Sequence, residues 1–136
     1  MQAKELLQLA MDSSKMLLPL VEDMRDQPLT ASSPGGNHPL WILGHLTYVE
    51  GWMFWTCMRG EPNPLPDKWG ELFGVGSKPA DDADVYPSLD EVLAKYQELR
   101  EQTLALLDTL SDEDLDRPSQ NPPPGLEKNF GTWGRC

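Results

Sequence analysis

The chain has 136 residues, 39% of them hydrophobic, and a formal net charge of −11 from 22 acidic and 11 basic side chains. That length suits a single domain, spanning 1–136, with a core of its own, and so acidic a surface with scattered basic residues argues against nucleic acid and anionic membranes as partners. No apolar run approaches the roughly 18–20 residues that cross a bilayer, and the N-terminus lacks a signal peptide's basic start, so a cytoplasmic protein is the default expectation.

In chain order, Ala3 to Met24 carries Leu6, Leu7, Ala10, Met11, Leu17, Leu18, Val21 and Met24 at helical spacing. Pro19 within that pattern predicts a kink or a break. Arg25 to Asn37, with Pro28, Ser32, Ser33, Pro34, Gly35 and Gly36, has the composition of a loop. A second helix is predicted from Asn37 as N-cap, with Pro39 in its first turn, to just before Gly60. Gly60 to Pro87 reads as a long loop holding a short helical turn at about Asp67–Phe73, with Trp69 and Phe73 as the side chains that pin it.

Ser88 and Glu91 form a capping box, and Leu89, Val92, Leu93, Tyr96, Leu99, Leu104 and Leu107 continue a third helix to about Leu110. Ser111 with Asp114 repeats the box and suggests a short turn. Prolines 118, 122, 123 and 124 mark another irregular stretch, and Thr132 is the expected cap of a fourth helix. Long helices alternating with loops, and no convincing strand, predict an all-α, up-down helical bundle.

On the second helix Trp41, His45, Tyr48 and Trp52 recur at spacings of four, three and four, so they share a face. An imidazole walled by large rings is a candidate ligand for zinc, nickel or iron, although a lone histidine in such a stripe is more often a hydrogen-bonded core residue. Its neighbours one turn away, Trp41, Ile42, Tyr48 and Val49, offer no further ligand. His38 lies seven residues back, roughly 10 Å along the axis, too far to share an ion, and is expected as an exposed helix-start residue.

The acidic residues of the first and third helices, such as Glu5, Asp23, Glu98 and Glu101, read as a solvated face. A Glu-x-x-His pair, a G-x-S-x-G elbow, a Walker loop and a dinucleotide glycine pattern are all missing, which removes the corresponding chemistries. Gly-Val-Gly at 74–76 reads as a turn. The two cysteines, Cys57 and Cys136, lack C-x-x-C spacing, and Cys57 is expected as a small buried residue.

Asn37 to Leu46, Asn-His-Pro-Leu-Trp-Ile-Leu-Gly-His-Leu, resembles the second-helix signature of the DinB-like, or YfiT-like, superfamily of metalloenzymes. Asp67-Lys68-Trp69, Phe73-Gly74, Leu115-Asp116-Arg117-Pro118 and Gly131-Thr132-Trp133-Gly134 extend the resemblance in the same order along the chain. It implies a four-helix bundle that holds a divalent metal, often zinc or nickel, through three histidines near one end. The first of those ligands falls on His45. The other two would lie on the fourth helix, in a His-x-x-x-His pattern after Gly-Thr-Trp-Gly. The sequence stops at Cys136 before such a pattern, so the fourth helix is expected to be largely absent and the metal site incomplete. Some members resemble transferases in which the metal activates a low-molecular-weight thiol such as bacillithiol, mycothiol or glutathione by lowering its pKa.

The expectation is therefore a domain with divalent-metal-dependent chemistry on a small molecule, His45 as ligand, and Trp41, Tyr48 and Trp52 lining the pocket. The alternative is a non-catalytic bundle, serving self-association or small-molecule binding through the same aromatic stripe. A bundle short of one wall exposes an apolar groove, which favours a dimer or higher homo-oligomer.

Overall fold

The computed structural model describes residues 2–28 and 34–136; Ser32 and Ser33 of the expected first loop lie outside them. The N-terminal pattern folds as α1 (Ala3–Ser13) and α2 (Leu17–Asp23), joined by a 3-10 turn at Ser14–Met16. The break expected from Pro19 falls just before it. Proline has no N–H for the carbonyl four residues back, and its ring crowds that carbonyl, so the turn that tightens is the preceding one.

The second helix, α3, spans Pro39–Gly51 and continues as a π-helical turn over Trp52–Met58. Its N-cap is His38, not Asn37 as the sequence suggested. His38 is also not exposed: it retains 1% of its accessible surface. Its Nδ1 accepts the Trp41 backbone N–H at 3.1 Å, which requires the proton on Nε2, and Nε2 donates to the Ala80 carbonyl at 2.9 Å. The ring also packs edge-on against Tyr86. One imidazole thus caps α3 and ties the long connection to it, which a shorter asparagine side chain would not reach. Replacing His38 by alanine is expected to cost about 2 kcal/mol, for the lost cap and the void together. Asparagine there should cost less, since it keeps the cap; urea midpoints of the two variants would check this order.

The predicted turn is α4 (Asp67–Phe73), and its two expected pins, Trp69 and Phe73, are both buried. The third long helix, α5 (Leu89–Thr109), starts at the Ser88–Glu91 capping box with both reciprocal bonds made. Ser111 and Asp114 pair as predicted ahead of a 3-10 turn at Glu113–Asp116. The C-terminal region holds a single short turn, α6 (Glu127–Phe130), and a 3-10 turn at Trp133–Arg135. Thr132 precedes the latter in extended conformation and makes no side-chain cap bond. Among the described residues the sole β-type pairing is an isolated bridge between Pro118 and Thr132.

Contacts fix the helix directions. The backbone N–H of Lys4 meets Asp112, the Gln8 side chain meets Asp108, and Arg25 pairs with Asp90, so the α1–α2 arm runs antiparallel to α5. His38 lies by Tyr86 and Glu50 by Arg100, so α3 and α5 run the same way. Two parallel helices need a connection that returns the chain, which is the work of the long segment after Gly60. The core gathers Leu40, Trp41 and Leu43 of α3, Trp69 and Phe73 of α4, and Val92, Leu93, Tyr96 and Leu99 of α5. No helix among the described residues is long and apolar enough to cross a membrane.

Candidate functional site

His45 sits on the α3 face that receives α4. The approach is close because position 44 is glycine: a Cβ there would lie 2.3 Å from the Phe73 ring. Gly70 serves the same purpose on the α4 side, where a Cβ would meet the Tyr48 hydroxyl at 3.0 Å. With α4 pressed in, the Phe73 carbonyl at its C-terminal end lies 2.6 Å from His45 Nδ1. A carbonyl only accepts, so Nδ1 carries the proton and Nε2 of the neutral ring keeps its lone pair. The Trp41 indole stacks on the imidazole with centroids 4.6 Å apart and planes 10° from parallel. Trp41 is itself anchored, its Nε1 donating to the Leu72 carbonyl and to Ser77 Oγ, both at 3.1 Å.

The arrangement resembles the outer support of metal-binding histidines, where one ring nitrogen donates to a carbonyl and frees the other. Of the residues expected to line a pocket here, Trp41 stacks on His45 and bonds to Leu72 of α4, Tyr48 packs against Gly70 and Gly74, and Trp52 begins the π-helical turn, half-buried. Yet among the described residues no group of three or more His, Cys, Asp or Glu side chains is placed to hold a metal ion. One prepared nitrogen does not make a three-histidine centre, so these residues do not by themselves fit the metal that the resemblance implies.

The family model for the DinB superfamily matches residues 12–135. The chain belongs to the DinB superfamily. No match was found among curated proteins or among solved structures. In this DinB-superfamily domain the all-helical bundle agrees with the expectation from sequence, while the parallel α3 and α5 depart from strict up-down order because the long segment after Gly60 returns the chain between them.

A second cluster, for which the sequence raised no expectation, lies where α1, α3 and α5 meet. Glu50 Oε2 pairs with Arg100 Nη2 at 2.6 Å, with side chains 6% and 20% exposed. Arg100 Nη1 also donates to Ser14 Oγ at 3.0 Å, and the guanidinium lies 5.4 Å from the Tyr96 ring centre. Burial pushes the Glu50 carboxyl above its ordinary value of 4.5, opposed by Thr103 and Arg100. Arg100 Nε and Trp133 Nε1 are buried without a hydrogen-bond partner, while the Thr103 hydroxyl beside Glu50 hydrogen-bonds its carboxylate and so favours the charged form. One signal was legible: Glu50 is the sole carboxylate between Asn37 and Arg59, in an otherwise uncharged helix.

Cys57 is buried as expected, and its thiol is pushed up, first by burial and then by Cys136. The acidic residues assigned to a solvated face, Glu5, Asp23, Glu98 and Glu101, are exposed.

Proposed function

We propose that this DinB-superfamily domain acts on a small molecule with the help of a divalent metal, zinc or nickel, for which His45 Nε2 is one prepared donor. The observation that carries this reading is the His45 Nδ1–H bond to the Phe73 carbonyl beneath a stacked Trp41. Holding an imidazole in one tautomer and one orientation costs conformational freedom, and a ligand position is where that cost has a use. The remaining donors would come from another chain, a second copy in a homodimer being one source. A thiol-dependent transfer is the reaction class that the superfamily suggests, by analogy of fold.

The test is metal content per chain, by elemental analysis of protein purified without metal-chelating resin, for wild type and His45→Ala. About one zinc or nickel per chain or per dimer, lost in the variant, is the expected result. Sedimentation of the same samples asks whether metal and dimer go together. Metal absent from both proteins would overturn the reading and leave His45 as a core histidine.

A further inference from the structure

His38 and His45 are the two histidines of the chain, and they hold opposite tautomers. The proton sits on Nε2 of His38 and on Nδ1 of His45, because of what each ring nitrogen meets.

A closed circuit of contacts joins the two rings. From His45 it runs through Nδ1–H to the Phe73 carbonyl at 2.6 Å. The Phe73 ring stacks on the Tyr86 ring with centroids 5.5 Å apart, and Tyr86 Oη accepts the backbone N–H of Ala80 at 2.7 Å. The Ala80 carbonyl then accepts His38 Nε2–H at 2.9 Å, and His38 Nδ1 accepts the Trp41 N–H at 3.1 Å. The Trp41 indole closes the circuit by stacking on His45. Phe73, Tyr86, His38 and Trp41 are all buried.

Ala80 lies in the connection between α4 and α5, outside any helix. Both polar groups of its backbone are taken, the N–H by Tyr86 and the carbonyl by His38, so the connection is clamped at this one residue. Phe73 is thereby held from two sides, against Gly44 on one and against Tyr86 on the other. Releasing Ala80 lets the Tyr86 ring leave Phe73, and the carbonyl that fixes His45 moves with Phe73. A close-packed interior answers such a loss by shifting whole side chains.

We propose that Tyr86 and His38 are positioning residues for His45, holding its imidazole in the Nδ1–H tautomer by clamping Ala80. This deepens the reading of His45 as a prepared donor and rests on that reading for its use. The clamp itself is a property of the chain without metal.

The readout is the tautomer of His45 in chelator-treated protein, from long-range proton–nitrogen correlation spectra at about pH 8, above the ordinary titration of imidazole. With two histidines the ring-nitrogen signals are assignable, because His38→Asn removes one pair outright. Wild type should show the His45 proton on Nδ1 and the His38 proton on Nε2. Tyr86→Phe removes just the hydroxyl, and His38→Asn keeps the α3 cap without reaching Ala80. Each should shift the His45 tautomer ratio about fivefold or more towards Nε2–H, the worth of one hydrogen bond. The double variant should do no more than the larger single change, since both release the same residue. Leu107→Ala, which removes a buried side chain of α5 outside the circuit, should leave the His45 signals in place.

Three results would each overturn the proposal: a His45 tautomer unmoved in either single variant, additive shifts in the double variant, or an equal shift in Leu107→Ala, the mark of general loosening. No metal takes part, so a chain found to bind none would leave a positive result standing. Equally, an unmoved tautomer would leave a positive metal measurement standing.

Discussion

Arg100→Met is expected to destabilise the domain by about 3 kcal/mol near neutral pH, because it strands the buried Glu50 carboxylate. Removing both partners as E50L/R100L should cost far less, since the cleft then loses a charge pair and gains apolar contact. The single variant carries a pH signature. Burial raises the folded carboxyl of Glu50 above 4.5, while Arg100 pulls it back down. Between the unfolded and folded values the native state holds more protons than the unfolded state, so stability falls as pH rises through that window. Taking away Arg100 lifts the folded value further and widens the window upwards. Urea midpoints of Arg100→Met should therefore improve on acidification from about pH 7.5 to about pH 5.5, by more than those of wild type. The control E50Q/R100M, which has no carboxyl at position 50, should lack this gain. An equal loss for Arg100→Met at both pH values would mean that packing, not the stranded charge, sets its cost.

Gly44→Ala should be nearly as damaging despite adding only one methyl group. The new Cβ would sit 2.3 Å from a Phe73 ring that is fully buried, so neither can yield cheaply. Overpacking of this kind costs about 1–3 kcal/mol. The larger consequence is positional. Moving Phe73 outward takes its carbonyl from His45 Nδ1 and frees the imidazole to turn. Near-UV circular dichroism should register the change through Trp41, which stacks on that ring. Shrinking the partner in G44A/F73L should recover some of the stability, a coupling that a double-mutant cycle measures directly. Strict additivity of the two changes would show that the Gly44–Phe73 contact is not what holds α4 in place.

Much of the molecule was legible in the residues because the signals are local. A capping box is a reciprocal pair three residues apart, so Ser88 and Glu91 announce the start of α5 without knowledge of what it packs against. Proline acts on its own turn and the one before, which placed the α1–α2 break within a few residues. Trp69 and Phe73 in a long polar connection had to bury somewhere, and the turn that carries them had to follow. His45 stood out for a similar reason, as an imidazole within a stripe of rings at helical spacing.

The misses have one cause: they depend on partners distant in sequence. Asn37 is the better N-cap by intrinsic preference, but the Ala80 carbonyl and the Tyr86 ring arrive from more than forty residues away and select His38. Glu50 and Arg100 each look like surface charges on a helix until α3 and α5 are laid side by side, fifty residues apart in the chain.

By itself, then, the sequence determined the helices, their caps and breaks, the DinB-superfamily assignment and the histidine worth attention. Only the tertiary structure decided which nitrogen of His45 is free, which helices run parallel, and that a charge pair sits in an apolar cleft. Backbone preference and hydrophobic period act over a turn or two, so the residues display them. Tautomers, buried charges and clefts arise where two segments meet, and no single segment carries them.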